Sequence, residues 1–461
     1  MRHIRRVFVA NRGEIAVRII HACRKIGVET VIGVSTADRE SLGARLADRA
    51  VCIGPPASVS SYLNKDALVQ AALSTGCDAV HPGYGFLAEN SAFARLCTDN
   101  GLRFIGPSAE AIEAMGDKIN AIAAAKKAGV PTVPGSDHVM RVADALATAA
   151  RIGYPFLFKA RAGGGGRGMR IVRAENEVEE AFNGATMEAR AAFGNDALYI
   201  EKYVESARHI EIQVLGDQHG NVVHLGERDC SVQRRHQKLI EESPSPAVTP
   251  QIRDAMSSAA VRLAQDQSYV GAGTVEFIFD SATREFYFLE MNTRVQVEHP
   301  VTEMVTGTDI VAEQVRIADG DEVAIGRGPL RLDGHAIECR INAEMPEAGF
   351  RPSPGRIDEW DAPVGEGVRV DTHCFPGYFV PPFYDSMIAK VIVHGRDRPD
   401  AVRRMDQALS RLRISGIATT AAFHRAVIAH PDFQQGRVTT DWLERRFMPG
   451  YAPPQRSEAA A

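Results

Sequence analysis

Five short apolar runs, spaced by helical patterns and turns, dominate the first hundred residues. Arg6–Ala10, Glu29–Val34, Val51–Ile53, Ala79–His81 and Phe104–Ile105 read as strands. Glu14–Ile26 and roughly 64–75 and 89–99 read as helices. Strands alternating with helices bury a parallel sheet on both faces, so this segment is expected to fold as an open α/β sheet. The loops after its strands carry Asn11-Arg12-Gly13-Glu14 and His81-Pro-Gly-Tyr-Gly-Phe-Leu-Ala-Glu89. In such sheets ligands sit beyond the carboxyl ends of the strands. The first loop lacks G-x-G-x-x-G, which argues against a dinucleotide site there.

The chain of 461 residues exceeds what one core supports, roughly 250–300 residues, so several domains are expected. A second unit, 118–204, holds helices at 118–128 and 176–193 and strands Pro155–Ala160, Met169–Val172 and Leu198–Val204. Gly163-Gly-Gly-Gly-Arg-Gly168 lies between two of these strands. It contains G-x-G-x-x-G, but a strand rather than a helix follows, and the Gly-Lys-Ser/Thr ending of a phosphate loop is missing. A glycine hairpin can still turn several backbone N–H groups towards phosphate oxygens. The unit therefore reads as a small glycine-tipped cover, with Lys159 one strand length upstream as its cation.

The third region is strand-rich: His209–Leu215, Val222–Glu227, Gly273–Phe279, Glu285–Met291, Gly334–Asn342 and Ser386–His394, with helices near 250–267, 308–318 and 399–411. Near-adjacent hairpins predict a large antiparallel sheet. Within it, Phe288-Leu-Glu-Met-Asn-Thr-Arg-Val-Gln-Val-Glu298 places Glu290, Asn292, Arg294, Gln296 and Glu298 at a period of two. In an extended chain these side chains share one face, with Val295 and Val297 on the other. Glu276 lies on the preceding strand, and a turn at 280–285 brings it beside Glu290. Facing carboxylates repel unless a cation or proton lies between them. Oxygen donors beside phosphates suit Mg²⁺ or Mn²⁺, with Asn292 completing the shell. Arg228, Arg234, Arg235, His236 and Lys238 fall within eleven residues without interleaved aromatics, so they read as an anion cleft rather than a nucleic-acid surface.

A net charge of -5 likewise points away from nucleic acid. No apolar run reaches the roughly 18 residues of a membrane span, and the basic start passes directly into a strand, so a cytoplasmic location is expected. The seven cysteines show no paired short spacing and are expected to be reduced.

The ordered series of motifs resembles the biotin carboxylase family of the ATP-grasp superfamily. It comprises Ala10–Ala16, His81–Asn90, Met115-Gly-Asp-Lys118, Gly163–Met169, Gly226–Lys238, Glu290–Thr302, Arg351-Pro-Ser-Pro-Gly355 and Pro381-Pro-Phe-Tyr-Asp-Ser-Met387. The resemblance covers about residues 4 to 447. It implies an α/β and α+β chain: an N-terminal open α/β domain (1–117), an ATP-grasp lid (118–204), a catalytic body (205–330), a C-terminal mixed or antiparallel domain (331–447) and a disordered tail (448–461).

By resemblance, Lys118, Lys159, Gly164, Gly165, Gly166, Glu201, Lys202, Val204, His209, Gln233 and His236 contact ATP. Glu276 and Glu290, assisted by Asn292, hold two Mg²⁺ or Mn²⁺ ions. Lys238 and Arg294 clamp bicarbonate, Glu298 is the base, and Arg340 stabilises the biotin enolate. Two stretches depart from the family pattern. Arg161 and Ala162 stand where a serine and the first of five glycines are usual, and Ser415–Thr420 differs in a peripheral turn. An Ala-Met-Lys-Met biotin acceptor is absent from the 461 residues. Biotin is therefore expected on a separate biotin carboxyl carrier protein, with carboxyltransferase subunits and a homodimer as further partners. The competing readings are another ATP-grasp ligase that makes an acyl-phosphate and a non-catalytic nucleotide-sensing subunit.

Overall fold

The computed structural model describes residues 3–160, 169–193, 196–323 and 330–452. The chain forms two compact units. One comprises Met1–Val130, Arg208–Phe277 and Glu290–Ala461, and the other Pro131–Ala207 with Ile278–Leu289.

The first hundred residues form a five-stranded sheet in the order Arg49–Gly54, Glu29–Ser35, Arg6–Val9, Ala79–His81, Arg103–Phe104, with every adjacent pair parallel. Val7, Phe8, Val9, Ala79 and Val80 are wholly buried, as expected of strands covered by helices on both faces. The Asn64 and Asn90 side chains accept from backbone amides of Ala67 and Phe93 and so start helices Lys65–Ser74 and Ser91–Asp99. The strand order reverses between Arg6–Val9 and Ala79–His81, the place where such sheets open a ligand crevice. Here the chain fills that place itself. The Asn11 amide donates to the carbonyls of Pro82 (2.7 Å) and Tyr84 (2.8 Å). Buried Glu14 accepts from the Tyr84 hydroxyl and lies 3.2 Å from Lys390 Nζ.

The smaller unit carries a four-stranded sheet ordered Gly135–Val139, Leu198–Lys202, Phe156–Ala160, Arg170–Val172, with helices Val142–Ile152 and Val178–Phe193. Its first strand and first helix escape the sequence reading. Gly-Ser-Asp-His-Val has a single large apolar residue, and its conformation comes from pairing with Leu198–Glu201. A Cβ at Gly135 would lie 2.1 Å from the Ile200 carbonyl oxygen, so only glycine permits this approach. The core is Val139, Phe156, Phe158, Val172, Leu198 and Ile200.

An eight-stranded sheet runs Phe286–Asn292, Gly271–Asp280, Ala207–Gly216, Val222–Arg234, Gln237–Ser243, His335–Asn342, Met387–Gly395, Val368–Thr372. From Ala207–Gly216 onwards each adjacent pair is antiparallel. Helices Pro250–Asp266, Ile310–Asp319 and Arg398–Arg411 fall where the periodicity places them, while His299–Thr306 and Ala421–Ala429 were not anticipated. The tail expectation needs correction at its start. Met448–Gly450 forms a helical turn, because Tyr451 stacks on Phe447 (centroids 5.5 Å apart) and packs edge-on against Phe423. Residues 453–461 lie outside the described ones.

Candidate active site

Glu276 and Glu290 lie on the hairpin Gly271–Asp280/Phe286–Asn292, closed by Asp280 and Glu285. The extended run expected through residue 298 stops at Asn292. Residues 293–298 are irregular, and helix His299–Thr306 follows with Pro300 in its first turn. Proline fits there because its missing N–H is one the first turn leaves unpaired. Glu89, from the His81–Asn90 loop, accepts the Thr293 backbone N–H (3.0 Å) and Arg294 Nε (2.8 Å), which draws the chain away from the sheet.

The polar side chains nevertheless converge. Asn292 Nδ2 (2.9 Å) and Gln296 Nε2 (3.1 Å) both donate to Glu276 Oε1. Arg294 donates to Asn292 Oδ1 and Gln296 Oε1, each at 2.9 Å. Val295 is buried.

At the centre is the Lys238 ammonium. It donates to Glu211 Oε2 (2.6 Å), Glu298 Oε1 (2.7 Å) and Glu276 Oε1 (2.8 Å). Burial disfavours its charge, but the carboxylates of Glu211, Glu298 and Glu276 outweigh that and hold the ammonium well above its usual range. His209 Nε2 lies 2.9 Å from Glu276 Oε2 and 3.8 Å from Glu211 Oε2. Burial works against a charge on Glu276 also, yet Lys238 and His209 keep its carboxyl far below the ordinary range. Wholly buried Arg228 spans Glu211 (2.5 Å), Gln213 (2.7 Å), Thr302 and Thr274 (both 3.0 Å), tying three elements together beneath the site.

Arg340 bridges Glu241 Oε1 (2.6 Å) and Glu298 Oε2 (2.9 Å). Glu298 is thus fully buried between Lys238 and Arg340, with the Cys230 thiol 3.7 Å away. Burial raises its carboxyl, but Lys238, Arg340 and Arg228 push it well below the ordinary value. Glu89, Glu211 and Glu241 were not singled out from the sequence. Glu241 had only a weak signal, a carboxylate directly after the apolar pair Leu239-Ile240, and Glu211 alternates with His209 and Gln213.

Glu290 is exposed, yet the surrounding protein and then the Glu276 charge raise its carboxyl, while His209 and Lys238 oppose that rise. A divalent cation beside Glu276, Glu290 and Asn292 would relieve this repulsion with oxygen donors only, so these residues fit Mg²⁺ or Mn²⁺.

Gln233 is buried at the end of Val222–Arg234, opposite Lys238. His236 is exposed in a two-residue turn with Arg235, both left-handed (φ 65° and 48°). Lys118 is exposed at the first position of helix Lys118–Lys127. In the smaller unit Lys159 pairs with Glu201, Lys202 donates to the carbonyls of Ile152 (3.0 Å) and Tyr154 (3.3 Å), and Val204 is buried. Gly164, Gly165 and Gly166, with Arg161 and Ala162, lie outside the described residues.

The doubly wound sheet, the glycine-bearing small unit and a carboxylate hairpin on a large antiparallel sheet define an ATP-grasp enzyme. The family model described as "Carbamoyl-phosphate synthase L chain, ATP binding domain" matches residues 117–325. Those described as "Biotin carboxylase, N-terminal domain" and "Biotin carboxylase C-terminal domain" match 3–112 and 338–445. The chain belongs to the biotin carboxylase family. It is 54% identical to biotin carboxylase 1 of Bacillus subtilis over 442 residues, 96% of this chain and 98% of that one. It is 50% identical to a pyruvate carboxylase subunit of Methanothermobacter thermautotrophicus over 440 residues, 95% and 89% of the two chains. The biotin carboxylase domain of a thermophilic 2-oxoglutarate carboxylase, solved with bicarbonate, superposes with a TM-score of 0.92 at 47% identity, covering 98% of this chain and 100% of that one.

Proposed function

We propose that this chain carboxylates biotin on a separate biotin carboxyl carrier protein, using ATP and bicarbonate by way of carboxyphosphate. This would be the first half-reaction of a cytoplasmic acetyl-CoA carboxylase that supplies malonyl-CoA for fatty acid synthesis. The observation that carries the reading is Glu298: a fully buried carboxylate gripped by Lys238 on one side and Arg340 on the other, a few residues from Arg294.

Arg294 offers a planar fork to bicarbonate and Lys238 a point charge. In the structure both are occupied by the chain's own acceptors. An anion taken between them draws the Lys238 charge away from Glu298, and the basicity that Lys238 suppresses is restored. Glu298 then takes the bicarbonate proton as the bicarbonate oxygen attacks the γ-phosphate and ADP leaves. Carboxyphosphate divides into CO₂ and phosphate. The phosphate takes the biotin N1′ proton while Arg340 faces the ureido oxyanion. Glu276, Glu290 and Asn292 would hold the Mg²⁺ or Mn²⁺, which when bound neutralises charge on the phosphates. Lys118, Lys159, Glu201, Lys202, Val204, His209, Gln233, His236 and the glycines at 164–166 are assigned to the nucleotide, and carboxyltransferase subunits and a second copy of the chain to the assembly.

The same half-reaction within a split propionyl-CoA, other acyl-CoA or pyruvate carboxylase is the second reading. The similarity to one component of a pyruvate carboxylase favours it. Purified chain is expected to cleave ATP only with bicarbonate present, and faster with free biotin. ATP turnover indifferent to both would overturn the proposal. Capture of the chain from its native host, with identification of the co-purifying carboxyltransferase, separates the two readings.

A further inference from the structure

Arg340 has a neighbour that the chemistry above leaves unused. Glu338 lies two residues earlier on the same face of strand His335–Asn342 and is wholly buried. Among the described residues neither of its carboxyl oxygens has a hydrogen-bond partner. The strand register sets Glu338 directly opposite Glu241 on one side and Ile392 on the other, while Arg340 pairs with Lys390. Glu338 is therefore surrounded by Glu241, Arg340 and, diagonally, Lys390. Helix His299–Thr306 covers this face, with Val301 and Val305 packed on Ala336 and Ile392. Its titratable groups are Glu298 at its start, His299, which burial keeps neutral, and Glu303, which is tied to Arg18 and Arg369.

The charges do not balance without a proton. Glu211, Glu241, Glu276, Glu298 and Glu338 share Lys238, Arg228, Arg340 and the imidazole of His209. Lys390 is committed elsewhere, to the Val297 carbonyl (2.8 Å) and Glu14. Two fully buried carboxyls directly opposite one another cannot both be ionised without a further cation. Glu241 has Arg340 on one oxygen, and its other oxygen is open. Glu338 has no donor among the described residues, so the proton rests there.

We propose that Glu241 and Glu338 hold one proton between them, and that Glu338 is a positioning residue which keeps Glu241 anionic and aimed at Arg340. The inference rests on the reading of Arg340 as the group that meets biotin. Burial, opposed by Arg340, raises the Glu241 carboxyl to about 7, and burial holds Glu338 well above its ordinary value. As pH falls through the Glu241 value both carboxyls are protonated. Arg340 then loses its Glu241 anchor and is drawn to Glu298, and biotin-dependent turnover declines.

Two variants of the full-length enzyme test this. In Glu338→Gln the amide stays neutral and donates to the open Glu241 oxygen as the protonated carboxyl does, so the acid limb of kcat/KM for free biotin should stay close to that of the parent. In Glu338→Leu no donor remains, and the limb should move up. A Glu338→Leu limb that superimposes on the parent, or a Glu338→Gln limb displaced as far as that of Glu338→Leu, overturns the positioning role. Infrared difference spectra of parent against Glu338→Gln, taken well above the Glu241 value, should show the carbonyl stretch of a protonated carboxyl in the parent alone, and its absence overturns the shared proton. A parent enzyme with no biotin-dependent turnover would refute the Arg340 reading instead, and the infrared result would still decide where the proton lies.

Discussion

Glu241 and Glu242 are consecutive residues on one strand, both buried, and their carboxyls leave it on opposite faces. Glu242 accepts Arg398 Nε (2.6 Å) and Nη2 (3.1 Å) and lies 2.7 Å from His335 Nε2. Arg398 itself is anchored by the carbonyls of Phe433 and Gln434 (both 2.7 Å). Burial penalises the Glu242 charge, but Arg398 and His335 outweigh it and bring the carboxyl down to about 2. Glu241 has half of one arginine and an acid opposite, and burial wins, raising it to about 7. The same residue type at the same depth is a settled structural anion on one face and an easily titrated group on the other. The difference lies in how completely partners satisfy each carboxylate. The face left short of partners is the one that gathers Lys238, Arg340 and Glu298.

The largest expected effect is on the unsatisfied face. Glu298→Gln should lower biotin-dependent kcat by about a hundred- to ten-thousandfold, the range of a lost general base, with nucleotide affinity nearly unchanged in equilibrium binding. A variant that lost nucleotide binding as well would point to collapse of the Lys238 cluster. On the satisfied face, Glu242→Ala strands Arg398 and should cost about 3–5 kcal/mol of stability by urea denaturation. A loss close to zero would erase the contrast.

Acid should reproduce part of that loss. The Glu242 value of about 2 lies below the ordinary glutamate value of about 4.3, so its contribution is complete above the ordinary value. It disappears as pH falls from there towards 2. About 2–3 kcal/mol of acid sensitivity should therefore be missing from Glu242→Gln in pH-dependent denaturation. The smallest effect is expected at the exposed edge. Glu290→Gln should raise the Mg²⁺ or Mn²⁺ concentration needed for half-maximal ATP cleavage by about tenfold, and an unchanged metal titration would remove Glu290 from the ligand set.

Much of the fold was legible because buried parallel strands such as Val7-Phe8-Val9 are uninterrupted apolar runs, and helices such as Arg398–Arg411 carry a clear period. Gly135–Val139 was not, since its polar residues become a strand only through pairing. The segment 293–298 misled in another way. Its alternation placed the right side chains together, but Glu89 and Pro300 bend the backbone there. Glu241 and Glu338 stayed hidden because a carboxylate on a strand shows its partners only once the cross-strand register is known.

The Asn11 and Glu14 plug at the strand reversal has a consequence for assembly of the chain. Glu14 lies 376 positions before the Lys390 ammonium that compensates it. During synthesis the first sheet emerges with an acid, in the first turn of its first helix, destined for burial and no counter-charge yet made. Contacts this distant in sequence form late. A severed N-terminal fragment would lack the ammonium that faces Glu14, so the last third of the polypeptide acts as a keystone for the first.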